Sequence, residues 1–207
     1  NIVPVFDMGN EDGEYFIAME YIAGRDLREV IKRLQVRTEA MPVDAALFIA
    51  SEVAKGLHYA HRKQDEHGES LGIVHRAISP SNILISSEGE VKIIDFGIAR
   101  AAGRLSKTIS GRIQGKFCYM SPEQASGKRL DPRSDIFSLG VTLYECATGK
   151  LPFNGKNKQE LTKQHGAVIP EPVHKLNGGI SPGLSGIIAI LLAQAPERRY
   201  QTSQGVL

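Results

Sequence analysis

The segment that most constrains this chain runs from Ile73 to Gly97 and reads IVHRAISPSNILISSEGEVKIIDFG. Three short β-rich stretches, at 72–74, 83–85 and 91–94, alternate there with polar turns. The turns hold Asn82 and Asp95, thirteen residues apart, each at the end of a short loop beside a β segment. An amide and a carboxylate suit a hard cation such as Mg²⁺, which takes few protein oxygens and fills its shell with water and phosphate. Each residue alone also has a plainer reading, because Asn in a turn and Asp before a glycine commonly bond to their own backbone. The weight rests on what surrounds them.

Around this segment the pattern is a little β followed by much α. Ile2–Phe6 and Tyr15–Tyr21 read as strands of a hairpin, separated by Gly9-Asn10 and Asp12-Gly13. A short helix is expected from about Asp26 to Leu34. A longer one is expected from Pro42, at its first position, to about His61. Its apolar residues Ala46, Leu47, Ala50, Val53, Ala54, Leu57 and Ala60 recur at helical spacing. Ser134 is expected to cap a helix ending at Thr148 before Gly149, and Ser181-Pro182 to open another that ends near Gln194. The fold class is therefore α+β with helix dominant.

A chain of 207 residues, 42% of them hydrophobic, can bury the core of one domain or most of one. Its charge of +2, from 25 basic and 23 acidic residues, comes without a basic run interleaved with aromatics, so nucleic acid is not an expected partner. Cys118 and Cys146 are the only cysteines and form no metal-binding pattern, which suits a reducing cytoplasmic setting. The longest strongly apolar run, Ile187 to Ala193, is too short for a membrane segment. The chain opens on Asn1 and stops at Leu207 inside what reads as a helical pattern, so a piece of a longer protein is expected.

The order of landmarks goes further. His75-Arg76, Asn82, Asp95-Phe96-Gly97, Ser121-Pro122-Glu123, Asp135 with Ser138 and Gly140, and finally Pro196-Glu197-Arg198-Arg199-Tyr200 follow one another as they do in protein kinases. The chain resembles that family along essentially its whole length, and residues 119–153 look most like its bacterial Ser/Thr branch. The resemblance implies a kinase-like fold in which 1–19 end the N-lobe, 20–26 form the hinge and 27–207 form a C-lobe truncated at its C-terminal helix. It implies ATP and Mg²⁺ as cofactors and a protein substrate or regulatory protein as partner. Glu20 and Ile22 match the hinge that holds the adenine edge, after Met19 at the gatekeeper position. Asp26 matches the acidic group that reaches the ribose, and Leu84 the apolar floor under the base. Asn82 and Asp95 match the metal ligands. Glu123 and Arg199 look like the family's buried ion pair, and Asp135 like the anchor of the catalytic-loop backbone. His75 would be buried against Phe96.

Three departures bear on activity. Ala77 stands where the family has the aspartate that takes the substrate hydroxyl's proton, and a methyl group cannot do so. Ser79 replaces the usual lysine two residues on; Lys116 either supplies that charge from across the site or is a solvated surface lysine. The glycine-rich loop and strand lysine that hold the phosphates in the family are absent from this sequence, and apolar surface next to them is expected to be exposed. Ser106, Thr108 and Ser110 are candidate phosphorylation sites with Arg76 as the phosphate's partner, and Thr108 is singled out. Three functions follow: a non-catalytic kinase-like module, a Ser/Thr kinase crippled at Ala77, or a helical interaction domain that has left nucleotide behind.

Overall fold

The structure, a computed structural model, describes residues 1–96, 117–155 and 157–207. It opens with an antiparallel hairpin of β1 (Val5–Glu11) and β2 (Glu14–Met19). Asp12 at φ 51° and Gly13 at φ 86° form its turn, the pair of left-handed residues that matches the twist of the flanking strands. Because Asp12-Gly13 alone sets the turn, Gly9 and Asn10 lie within β1, and the first strand sits further along than the expected Ile2–Phe6. Ile2 instead bridges Ile93 in parallel. The hairpin leaves Phe6, Met8 and Tyr15 about two-thirds or more exposed, at 72%, 71% and 68%.

A second sheet has the order β3 (Gly24–Asp26), β4 (Ile83–Ser86) and β5 (Val91–Ile93), all antiparallel. Its register sets Asp26 opposite Leu84 and Leu84 opposite Lys92, so these side chains share a face. The expected strand at 72–74 does not form. The backbone donors that follow it, on His75 and Arg76, go to a buried carboxylate rather than to a neighbouring strand.

Among the described residues the helices are α1 (Leu27–Val36), α2 (Val43–His61), α3 (Pro122–Ala125), α4 (Pro132–Thr148), α5 (Lys158–Ala167), α6 (Val173–Leu176) and α7 (Pro182–Leu191). Asp26 caps α1 by accepting from the Glu29 N–H at 2.8 Å. Pro42 precedes α2 as its cap residue, one position earlier than expected. The expected cap of α4, Ser134, lies inside the helix: Asp131 caps it, accepting from Arg133 N–H, and Pro132 takes the first turn where its missing N–H costs nothing. Gly149, at φ 68°, stops α4. Ser181 caps α7, which ends at Leu191, earlier than expected.

Helix α4 is the axle of the core. Ile136, Phe137, Leu139 and Val141 are each at most 1% exposed, and burial continues around the helix, as befits a helix surrounded by others. Helices α2 and α7 pack on it, and β5 packs on α2. Gly140 lets α7 come close: a Cβ there would lie 2.6 Å from Leu191 Cβ. The last described turn is a 3₁₀ helix at Ser203–Val206, docked on α2.

One buried group makes the fold pH-sensitive. His165 on α5 is 3% exposed and packs edge-on against Phe153 at 4.7 Å and Phe137 at 5.4 Å, and among the described residues neither ring nitrogen has a hydrogen-bond partner. Burial pushes its pKa from 6.5 down to about 4. A folded pKa below the unfolded one means this stability is fully present above pH 6.5 and is lost as pH falls toward 4, some ~3 kcal/mol in all. Thermal unfolding should show the melting temperature falling across that window. His165→Leu should flatten the slope but not abolish it, because burial also lowers the pKa of His75.

Candidate active site

The loop after α2 is held mainly by its backbone. Asp135, fully buried on α4, accepts the His75 N–H through Oδ2 and the Arg76 N–H through Oδ1, both at 2.8 Å. Its Oδ2 also meets His61 Nε2 at 2.8 Å, and Ser203 Oγ lies 3.1 Å from His61 Nδ1. A carboxylate only accepts, so His61 turns an Nε2–H toward Asp135, with the Ser203 hydroxyl within hydrogen-bond reach of its other ring nitrogen. Sequence reading found Asp135 but missed His61 and Ser203, since nothing in their spacing marks a relay between three distant elements.

His75 is fully buried, with its ring 4.5 Å from Phe96 in an edge-on arrangement. Its Nε2–H donates to the Ile94 carbonyl at 2.8 Å, and its Nδ1 accepts from the Ala77 N–H at 3.2 Å. Burial lowers its pKa and outweighs the pull of Asp135, which keeps the ring neutral and both nitrogens occupied. The Ala77 carbonyl in turn accepts from Asn82 Nδ2 at 2.8 Å. Ser79, also buried, shares a 3.1 Å hydrogen bond with Ser81.

The structure brings most of the expected site residues into one neighbourhood. Asn82 sits at the end of a 3₁₀ turn (Pro80–Asn82), and its carbonyl accepts from the Ile94 N–H next to Asp95. Asp95 and Arg76 both have positive φ, 67° and 68°, a conformation that costs a non-glycine residue about 1–3 kcal/mol and tends to cluster at functional sites. Met19, Ile94, Asp95 and Phe96 line one cavity of about 90 Å³ beneath the hairpin. Leu84 is half-buried between its register partners Asp26 and Lys92. Glu20 accepts from Lys92 Nζ at 3.0 and 3.2 Å, and that bond holds the ammonium above its ordinary range. Ile22 is half-buried in the link between β2 and β3. Asp26 already spends one carboxylate oxygen on capping α1. Lys116, Ser106, Thr108 and Ser110 lie outside the described residues.

Glu123, on α3, makes the expected ion pair with Arg199. Arg199 Nη1 and Nη2 donate to the two Glu123 oxygens at 2.8 and 2.9 Å, and Ser134 Oγ donates to Oε1 at 2.6 Å. Desolvation opposes ionisation of Glu123, but these hydrogen bonds and the Arg199 charge win and bring its carboxyl to about 2.

Comparison with known proteins bears on this arrangement as a whole. The family model described as the protein kinase domain matches residues 1–206. The chain is 39% identical over 204 residues to the tyrosine-protein kinase MasK of Myxococcus xanthus, covering 99% of this chain and 32% of that protein. It is 38% identical over 209 residues to the serine/threonine-protein kinase PknB of Mycobacterium leprae, covering 98% and 32%. With the serine/threonine-protein kinase PrkC of Bacillus subtilis it shares 34% over 204 residues, covering 99% and 30%. The chain thus spans about a third of the length of these relatives. The crystal structure of the Mycobacterium tuberculosis PknI kinase domain superposes with a TM-score of 0.73 at 25% identity, covering 99% of this chain and 68% of that one. Among the described residues no helix is long and apolar enough to cross a membrane. With its landmarks in order and its fold matched, the chain belongs to the protein kinase family.

Proposed function

We propose that this chain is part of a kinase-like domain that binds ATP with Mg²⁺ but has lost efficient phosphoryl transfer at residue 77. The observation that carries the reading is an ordered loop with no proton acceptor where one is needed. Ala77 has its N–H and C=O engaged by His75 and Asn82, so the position is held firmly and presents a methyl group. His75 cannot stand in as the base, because both of its ring nitrogens are occupied and it is buried. Ser79 and Ser81 bond to each other, and neither hydroxyl is basic at neutral pH.

The residues present fit the cation. Asn82 and Asp95 would hold it, one amide and one carboxylate on adjoining segments joined by the bond from Ile94 N–H to the Asn82 carbonyl. Bound Mg²⁺ offsets the charge of the nucleotide phosphates. Glu20, Ile22, Asp26 and Leu84 would receive the base and ribose: Asp26 and Leu84 share a sheet face, and Lys92 ties Glu20 to the strand that leads to Asp95. In this reading 1–19, 20–26 and 27–207 are the end of the N-lobe, the hinge and the C-lobe. The partner is a protein substrate or regulatory protein in the cytoplasm, and Arg76 would receive a phosphate from the segment that holds Thr108. Asp95→Ala in the full-length protein should weaken Mg²⁺-dependent ATP binding at least about tenfold by calorimetry, or ~1.4 kcal/mol. Unchanged binding would mean the nucleotide does not use this site.

The relatives' names, kinases throughout, favour a second reading. The parent enzyme would then be a Ser/Thr kinase in which residue 77 is the one lesion and Lys116 supplies the charge that Ser79 lacks.

A further inference from the structure

We infer that Gln124 is a positioning residue that fixes the peptide carrying residue 77 and couples it to α3, the helix that follows the segment holding Thr108. Gln124 Nε2 donates to the Arg76 carbonyl at 2.8 Å. Arg76 is the left-handed residue of the loop, at φ 68°, and its N–H is already taken by Asp135 Oδ1. With the bonds of Ala77 to His75 and Asn82, two consecutive residues have both N–H and C=O bound. Three of those four bonds come from α4 or from the loop itself. The fourth comes from α3, so α3 can release or hold the strained residue next to position 77.

Two further observations favour this role over simple packing. The Gln124 Oε1 atom is buried and, among the described residues, accepts no hydrogen bond. A buried unpaired acceptor is unfavourable, so packing alone would be served better by an apolar side chain of similar length. What the amide contributes here is its donor. Its neighbour Glu123 is bound to Arg199 and Ser134, which gives α3 a fixed seat from which Gln124 reaches the loop. A shift of α3 would therefore move the Arg76–Ala77 peptide and re-aim residue 77.

The inference rests on position 77 being that of the proton acceptor, and its test separates the two. In the full-length protein, Gln124→Met removes the donor at similar length, and Gln124→Glu keeps the size without the donor. Amide hydrogen exchange across 74–79, with Ala77 unaltered, should quicken at least about tenfold in both variants, since freeing one carbonyl releases the strained residue. In an Ala77→Asp background both should lower kcat by about 10- to 100-fold while KM for ATP stays put, the signature of lost alignment. Gln124→Lys, which still donates, should restore part of kcat. Exchange unchanged in both variants would overturn the inference, as would kcat and KM changing together, or both variants unfolding. If Ala77→Asp transfers no phosphate, the reading of position 77 fails, and the exchange arm still decides the role of Gln124.

Discussion

Ala77→Asp in the full-length protein is expected to raise phosphoryl transfer by about 10²- to 10⁴-fold, the range that general-base catalysis supplies. The expectation rests on a loop that needs no rebuilding. Asp135 holds the backbone before residue 77, and His75 and Asn82 hold residue 77 itself. A carboxylate added to that peptide arrives at a position the backbone has already fixed. A gain would also show that Ser79 is compatible with turnover. Adding Lys116→Met would then ask where the missing positive charge comes from, and full activity in that double variant would exclude Lys116. Single-turnover transfer to a protein substrate is the measurement.

The largest loss of stability is expected at Arg199. All five of its N–H donors are used: two on Glu123 and one each on the carbonyls of Ala193, Arg133 and Gln194. Its guanidinium also lies 4.8 Å over the ring of Phe137, fully buried on α4. Arg199→Met strands a buried carboxylate and three carbonyls at once and should cost about 3–5 kcal/mol in urea unfolding. Arg199→Lys keeps the charge but not the fork, so it should recover little. Replacing Glu123 as well should recover part of the loss, because no unpaired charge then remains. A melting curve for Arg199→Met that overlies the parent's would contradict this account of the pair.

Much of the site was legible in the sequence because order and spacing carry it. Asp135, Glu123 and Arg199 lie at the positions their motifs imply, and so does the His75–Phe96 contact. Helix α2 was legible from its apolar periodicity, and α7 from the Ser181-Pro182 start. Other features escaped for identifiable reasons. Helix α5 is polar, and among its described side chains only Leu161 and His165, one turn apart, are buried, too thin a stripe for periodicity to find. Asn157 and Glu160, which cap it at 2.9 Å, were its one local signal. Asp131-Pro132 was a better start for α4 than Ser134, whose hydroxyl is spent on Glu123. Residues 72–74 have strand-like composition, but the bonds that follow run to a side chain no local pattern could reveal. Gln124 and the His61–Ser203 contact depend on elements far apart in sequence and left no signal at all.

The measurement that bears most directly on the central claim uses one preparation of the full-length protein, with residue 77 verified as alanine. ATP binding is followed by calorimetry with and without Mg²⁺, and γ-phosphate incorporation into protein is followed in parallel. Mg²⁺-dependent binding without incorporation above background is the expected result. Rapid incorporation by the unaltered protein would contradict it.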